Sequence, residues 1–379
     1  MTAAAAPART LTDIAAALGA QLVGDGSVLI RGVAHPAMAA ADMLALAVED
    51  GAEKLLARTR ASTAAVAEGR AAALAGLKGG IVVKRPRLAL ARLLEIFDRP
   101  PVSAPGIHPS AVIDPTATVG AEASIGPLAY VGPNARIGAR VRILAQATVG
   151  AGAVIGDDTL LHAGARIGDR CVLGQRVIVQ PNAVIGADGF SFVTPEKGSV
   201  ESARETGRIE AQNLAIVRIN SIGTVELGDE VEIGAGTMVA RGTLGPTRIG
   251  RGTKIDNLCQ IGHNCTIGAN CLIAGMVGLS GSVKLGDRVT LAGAVGVADH
   301  ISIGDDSILL AGSGVATSVP PGEIWGGMPA QPYKDVKNLH VNFKRLPRMV
   351  RDMLALRDRV AELEKRLQAG ASAGPGGRQ

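Results

Sequence analysis

Ile125-Gly126-Pro127-Leu128-Ala129-Tyr130-Val131-Gly132-Pro133-Asn134-Ala135-Arg136-Ile137-Gly138 decides the fold: an aliphatic residue returns at every sixth position, and Gly follows it each time. Backward, the register reaches Val119, Ile113 and Ile107; forward, it runs through Ile143, Val149, Ile155, Leu161, Ile167, Leu173, Val179 and Ile185. It lapses over a polar stretch from about 187 to 221 and resumes at Leu227, Ile233 and Val239. A slip near Gly242–Pro246 resets the phase, which then holds from Ile249 to Val315. A period of six fits neither a helix at 3.6 nor strand alternation at two. It predicts a solenoid whose coils have three short flat strands. The aliphatic residue of each face points inward and stacks on its equivalent about one coil later. The small neighbour lets the chain turn.

Composition agrees. Only seven of 379 residues are aromatic, yet 47% are hydrophobic and fifty are Gly. Aromatic side chains usually dominate globular cores, so thin repeated aliphatic layers are expected instead. No run of about 18 apolar residues occurs, which excludes a membrane-spanning helix. Met1 to Thr10 lacks the apolar segment of a secretion signal. Four cysteines in a long chain do not form a disulfide framework, so the expected compartment is the cytoplasm. A net charge of +5 permits an acidic partner. No nucleic-acid motif, His-x-x-x-His, Cys-x-x-Cys or phosphate loop appears, so neither metal nor cofactor is expected.

The flanks differ from the repeat. Residues 1–103 lack the six-residue period and read as a small α/β domain. A capped helix is expected over Thr12–Leu18, strands at Val28–Ile30 and Ile81–Val83, and a helix from Leu88 to Phe97. Pro100, Pro101 and Pro105 mark the linker. The repeat domain spans 104–318, a helical extension 319–369, and a disordered tail 370–379. In the extension Met349, Met353, Leu356, Val360, Leu363 and Leu367 alternate four and three apart, a short a/d seam that suits oligomerisation.

His263 stands near a coil corner in Lys254-Ile255-Asp256-Asn257-Leu258-Cys259-Gln260-Ile261-Gly262-His263-Asn264. Asp256, Asn257, Gln260 and Asn264 crowd polar groups around an aliphatic column that needs none of them. A ligand groove explains that concentration better than general solvation. Asp256 and His263 stand about a third of a coil apart, so a groove between neighbouring subunits is the expected way to bring them together.

The repeat resembles the hexapeptide-repeat transferases, which implies a left-handed parallel β-helix. The His263 segment, Gly186-Ala187-Asp188-Gly189-Phe190, Val231-Glu232-Ile233-Gly234-Ala235 and Val295-Gly296-Val297-Ala298-Asp299-His300 are similar to the UDP-3-O-acylglucosamine N-acyltransferases of lipid A biosynthesis. The three-part layout is similar too. The resemblance implies transfer of a 3-hydroxyacyl chain from acyl carrier protein to the 2-amine of a UDP-amino sugar in a homotrimer. It makes His263 the general base, His300 a supporting partner, and the Gly281 backbone N–H the oxyanion donor. Asp256, Asn257 and Gln260 would bind substrate. Arg345, Arg348 and Arg351 on the basic tail would contact the acidic carrier protein.

One stretch departs from that family. Where its members carry an aromatic pair that sandwiches uracil, Leu44–Lys54 here holds no aromatic residue. Acetyl-CoA-dependent acetylation of a nucleotide sugar, or a non-catalytic β-helix scaffold, are the competing expectations.

Overall fold

The computed structural model describes residues 8–101, 103–327 and 333–372, and the chain divides into two compact units, Met1–Ser103 and Ala104–Gln379.

The first unit is a five-stranded sheet in the spatial order Gln21–Gly24, Gly79–Val83, Thr63–Ala67, Met43–Ala47, Gly32–Ala34. The first pair is antiparallel and the rest are parallel. Helix α1 (Leu11–Leu18) starts at a capping box: the Thr10 hydroxyl accepts the Asp13 N–H at 3.1 Å, and the Asp13 carboxylate accepts the Thr10 N–H at 3.3 Å. The cap is therefore Thr10, two residues before the expected Thr12. Helix α2 (Pro86–Ile96) opens on a proline, whose missing N–H costs nothing in a first turn. Leu11 and Ile14 of α1 and Leu93 of α2 bury themselves with Leu44 and Ile81.

The second unit is a left-handed parallel β-helix. Its strands, most of two residues, form three parallel sheets of nine, eleven and ten strands. Pairing runs one coil along the chain, Ile125 on Ile143, Val131 on Val149, Ile137 on Ile155. In most strands the first residue faces out and the second is buried, as with exposed Arg136 and buried Ile137. The inward residues form one continuous column. Burying each such side chain is worth about 1.5–3 kcal/mol.

Polar corners finish what the column begins. At most turns one residue adopts φ near +60°, which Asn tolerates well: Asn134 at 56°, Asn182 at 58°, Asn264 at 60°. At five of these corners an Asp from the next coil caps a free N–H. Asp157 accepts from Ala139 (2.9 Å), Asp169 from Ala151 (2.9 Å), Asp229 from Gln175 (2.8 Å), Asp287 from Ala269 (2.7 Å) and Asp305 from Asp287 (2.9 Å).

Two irregularities break the repeat. Leu173 pairs with Leu227, so a whole excursion is looped out between neighbouring coils. It carries a short antiparallel pair, Phe192–Val193 with Val217–Arg218, and helix α3 (Ser199–Thr206). Although polar in sequence overall, it exposes Phe190, Ile209 and Leu214. The coil that pairs Leu227 with Ile249 bulges at residues 241–246, which is the slip seen in the register.

The C-terminal boundaries differ from expectation. Ile324–Trp325 pairs with Ile308–Leu309, so the solenoid runs past 318, with Trp325 packing against the column. The Pro320-Pro321-Gly322 turn hides this last strand from a periodicity reading. Helix α4 spans Tyr333–Ser372, so Gly370–Ser372 are helical rather than disordered. The rest of the expected disordered tail, 373–379, lies outside the described residues. The α4 seam residues Met349, Met353, Leu356, Val360, Leu363 and Leu367 are exposed. No helix among the described residues is long and apolar enough to cross a membrane.

Candidate active site

One sheet presents Gln260, Gly278, Gly296 and Gly314 as its successive outward residues. Three glycines in a row leave the outer face bare, and no atom stands within 4 Å of a Cβ built at any of them. A groove of about 960 Å³ results, walled by Asp188, Phe190 and Met238 and reaching His263, Gly281 and Gly314.

His263 is half-buried at the corner where this sheet ends. Its Nδ1 lies 3.0 Å from Asn264 Oδ1, which also accepts the Thr243 N–H at 3.0 Å and the Thr243 hydroxyl at 3.2 Å. A backbone N–H can only donate, so the Asn264 atom facing it is the amide oxygen. Facing that oxygen, Nδ1 must carry the proton, so in the neutral ring the lone pair is on Nε2. Two glycines crowd the ring. A Cβ at Gly189 would stand 2.7 Å from His263 Cβ, and one at Gly281 would stand 2.7 Å from Cε1 and 2.8 Å from Nε2.

Gly281 breaks the corner rule. Asp299 occupies the next coil at the capping position, yet among the described residues no acceptor takes the Gly281 N–H. A donor is thus left open beside Nε2. Asp188 on the groove wall lies 3.3 Å from Arg218 and 3.9 Å from Arg241.

The remaining expected residues fall elsewhere. Gln260 lines the groove, but Asp256 and Asn257 line a separate hollow of about 620 Å³ on the adjacent face, with Glu232 and Lys254. Both also serve the corner, against the expectation that the column needs none of these groups: Asn257 Oδ1 accepts the Ala235 N–H at 2.6 Å, and Asp256 Oδ1 accepts the Asn257 N–H at 2.7 Å. His300 sits exposed at its own corner (φ 59°), two coils along from Asn264, and does not line the groove of its own chain. Arg345, Arg348 and Arg351 are exposed on α4.

In the first unit, Phe97 is the only aromatic residue and is buried in the core. Where the stacking pair was sought, the strand Met43–Ala47 leads into the Ala52–Arg58 turn, and Arg70 ties that passage down through Asp50 and Glu53, both at 2.6 Å. The cysteines are buried; desolvation pushes the Cys265 thiol up to about 11. No group of three or more His, Cys, Asp or Glu among the described residues could hold a metal.

Sequence reading passed over Asn264 as an orienting group, Gly189 as a contact, and Asp188 as a wall residue. The signal for Asn264 was its place at a corner that favours Asn for backbone reasons alone, which masked its bond to the ring.

Family models match at residues 246–281 (bacterial transferase hexapeptide, six repeats) and 107–189 (GMPPB C-terminal domain). The chain is 51% identical over 276 residues to a UDP-3-O-acylglucosamine N-acyltransferase of Paracoccus denitrificans, covering 72% of this chain and 75% of that one. It is 37% identical over 366 residues to a protein of the same name from Pseudomonas paraeruginosa, covering 96% of each. Among solved structures, an Arabidopsis UDP-N-acetylglucosamine acyltransferase matches with a TM-score of 0.50 and 25% identity, over 59% of this chain and 71% of that one.

Proposed function

The chain belongs to the UDP-3-O-acylglucosamine N-acyltransferases, and from that premise we propose that His263 is the general base of an amide-forming acyl transfer. The observation that carries this reading is the His263–Asn264 bond, which leaves Nε2 as a free acceptor beside an open groove.

The acceptor is the 2-amine of a UDP-3-O-acylglucosamine, and the donor a 3-hydroxyacyl thioester on acyl carrier protein. The amine nitrogen attacks the thioester carbonyl while His263 Nε2 takes its proton. The Gly281 N–H receives the oxyanion of the tetrahedral intermediate. On collapse the C–S bond breaks, and the imidazolium returns the proton to the departing thiolate. General-base assistance is typically worth about 10²–10⁴ in rate, and one oxyanion donor about 2.7–4 kcal/mol. No resident cofactor is needed, because the thioester brings the acyl group already activated.

The bare floor along Gly296 and Gly314 suits a long apolar chain, gaining about 0.8 kcal/mol per buried CH₂. An acetyl group would leave most of it empty, which disfavours acetyl-CoA as donor. Asp256 and Asn257 reach the His263 groove only from a neighbouring copy, so the working unit is a homotrimer with three grooves between subunits, and His300 supports the site from the same corner column. Arg345, Arg348 and Arg351 steer the acidic carrier protein. The reaction belongs to lipid A synthesis in the cytoplasm.

In an assay with both substrates, His263→Ala should lose about 10²–10⁴ in kcat; retention of full activity rejects the role. Mixing His263→Ala with Asp256→Ala subunits should restore part of the activity. Mixtures as inactive as their components would rule out a shared groove.

A further inference from the structure

Arg241 is the one charged residue among the buried side chains of the described residues, with 8% of its surface exposed. A guanidinium taken out of water is tolerated only where its donors find acceptors. Its Nε donates to the Gly186 carbonyl at 2.7 Å, and Nη2 to the Asp169 carbonyl at 3.4 Å. Its backbone N–H donates to the Ala187 carbonyl at 2.8 Å. The chain makes room for it. Gly186 holds φ at 91°, and a Cβ at Gly168 would stand 2.8 Å from Nη2. The strand ladder shifts register here, between Ile185 and Ala187.

These contacts converge on residues 186–189, the wall segment that ends against the imidazole. Gly189 touches the His263 side chain so closely that even a methyl would collide with it. Its N–H donates to the buried Ser221 hydroxyl at 3.2 Å, which pins the far end. The ring is held between this wall and Gly281.

We infer that Arg241 is a positioning residue for the acyl transfer: it fixes the 186–189 wall and, through Gly189, the setting of the His263 ring. Its own hydrogen bonds go to the backbone of the wall and of Asp169, not to the ring. The inference rests on His263 being the base.

The test is made on the full chain, with a 3-hydroxyacyl carrier-protein thioester and UDP-3-O-acylglucosamine. Misplacing a reacting group by about an ångström costs up to about 100-fold. Arg241→Met should therefore lower kcat by about 10- to 100-fold, with the KM for the sugar within about twofold. Arg241→Lys, which keeps one donor, should recover part of the loss. The His263 Cε1–H resonance should move in Arg241→Met and stay in place in Arg288→Met, where the guanidinium pairs with Asp306 at a different corner of the coil.

A folded Arg241→Met with wild-type kcat, or a fall in kcat that only tracks lost folded protein while the resonance is unmoved, overturns the inference. If Arg241→Met does not fold, Gly189→Ala keeps the guanidinium and pushes on the ring directly. It should lower kcat and move the resonance, and wild-type values there equally overturn the inference. An active His263→Ala removes the base role itself; an inactive His263→Ala beside an unaffected Arg241→Met removes only the positioning.

Discussion

Asn264→Ala tests the orientation of the base. Asn264 Oδ1 accepts from His263 Nδ1 at 3.0 Å and from two Thr243 donors. Truncation removes the acceptor that keeps the proton on Nδ1, so part of the enzyme holds it on Nε2 and cannot take one from the amine. A hydrogen bond of this kind is worth about 0.5–1.5 kcal/mol, and each 1.36 kcal/mol is tenfold in rate. The expected loss in kcat is about two- to thirteenfold, well short of the general-base factor. Stability should fall as well. Ala is held at φ 60°, at a cost of about 1–2 kcal/mol, and the Thr243 N–H loses its partner. Steady-state kinetics on folded protein, beside a melting curve, separates the two effects. Asn264→Asp keeps the acceptor and should retain most of the rate. In a His263→Ala background Asn264→Ala should change kcat no further. Full kcat in Asn264→Ala alone, or an additive loss in the double variant, would refute the reasoning.

Gly296→Met should place a side chain on the bare groove floor without disturbing the fold, since nothing stands within 4 Å of its Cβ. Competition between thioesters of different length should then favour shorter chains, by about 0.8 kcal/mol for each CH₂ displaced; an unchanged preference would mean the chain lies elsewhere. Leu161→Ala, at a fully buried point of the column, should cost about 2–5 kcal/mol in denaturant unfolding, and a loss under 1 kcal/mol would deny it a core role. Burial raises the Cys265 thiol to about 11. A folded value above the unfolded one means its contribution to stability is complete below pH 9 and is lost as pH rises toward 11. Cys265→Ala should flatten that decline in unfolding measurements between pH 8 and 11, and an equally steep decline would assign it to other groups.

The column was legible because Ile125, Val131 and Ile137 repeat at a period that only a three-sided solenoid explains. The last strand was not, because Leu309 takes its cover from Trp325 across a proline-rich turn that carries no six-residue mark. The site was half legible. His263 drew notice as a polar group on an aliphatic frame, and Gln260 joins it in the groove. Asp256 and Asn257 share its stretch of chain, but sequence proximity within a three-faced coil puts them round the corner. Asn264 was missed for the opposite reason: its ordinary backbone use at φ 60° concealed its bond to the ring. Gly189 was missed because a glycine has no side chain to signal the contact. Arg241 carries no sign of burial in the sequence, because only the register shift beneath it makes the pocket for its guanidinium.

The excursion between Leu173 and Leu227 bears on how the chain reaches its native state. Most rungs close a loop of 18 residues, as from Ile125 to Ile143; across the excursion the loop is 54, as from residue 173 to 227. Tripling the loop adds about 1 kcal/mol of closure entropy, to be overcome before any favourable contact forms. Stacked repeats propagate from neighbour to neighbour, so zipping should stall at this joint, with the segments on either side organised first. Pulse-labelling hydrogen exchange would then find amides near Leu173 and Leu227 among the last protected, and shortening the excursion should speed refolding without altering the rungs beyond it.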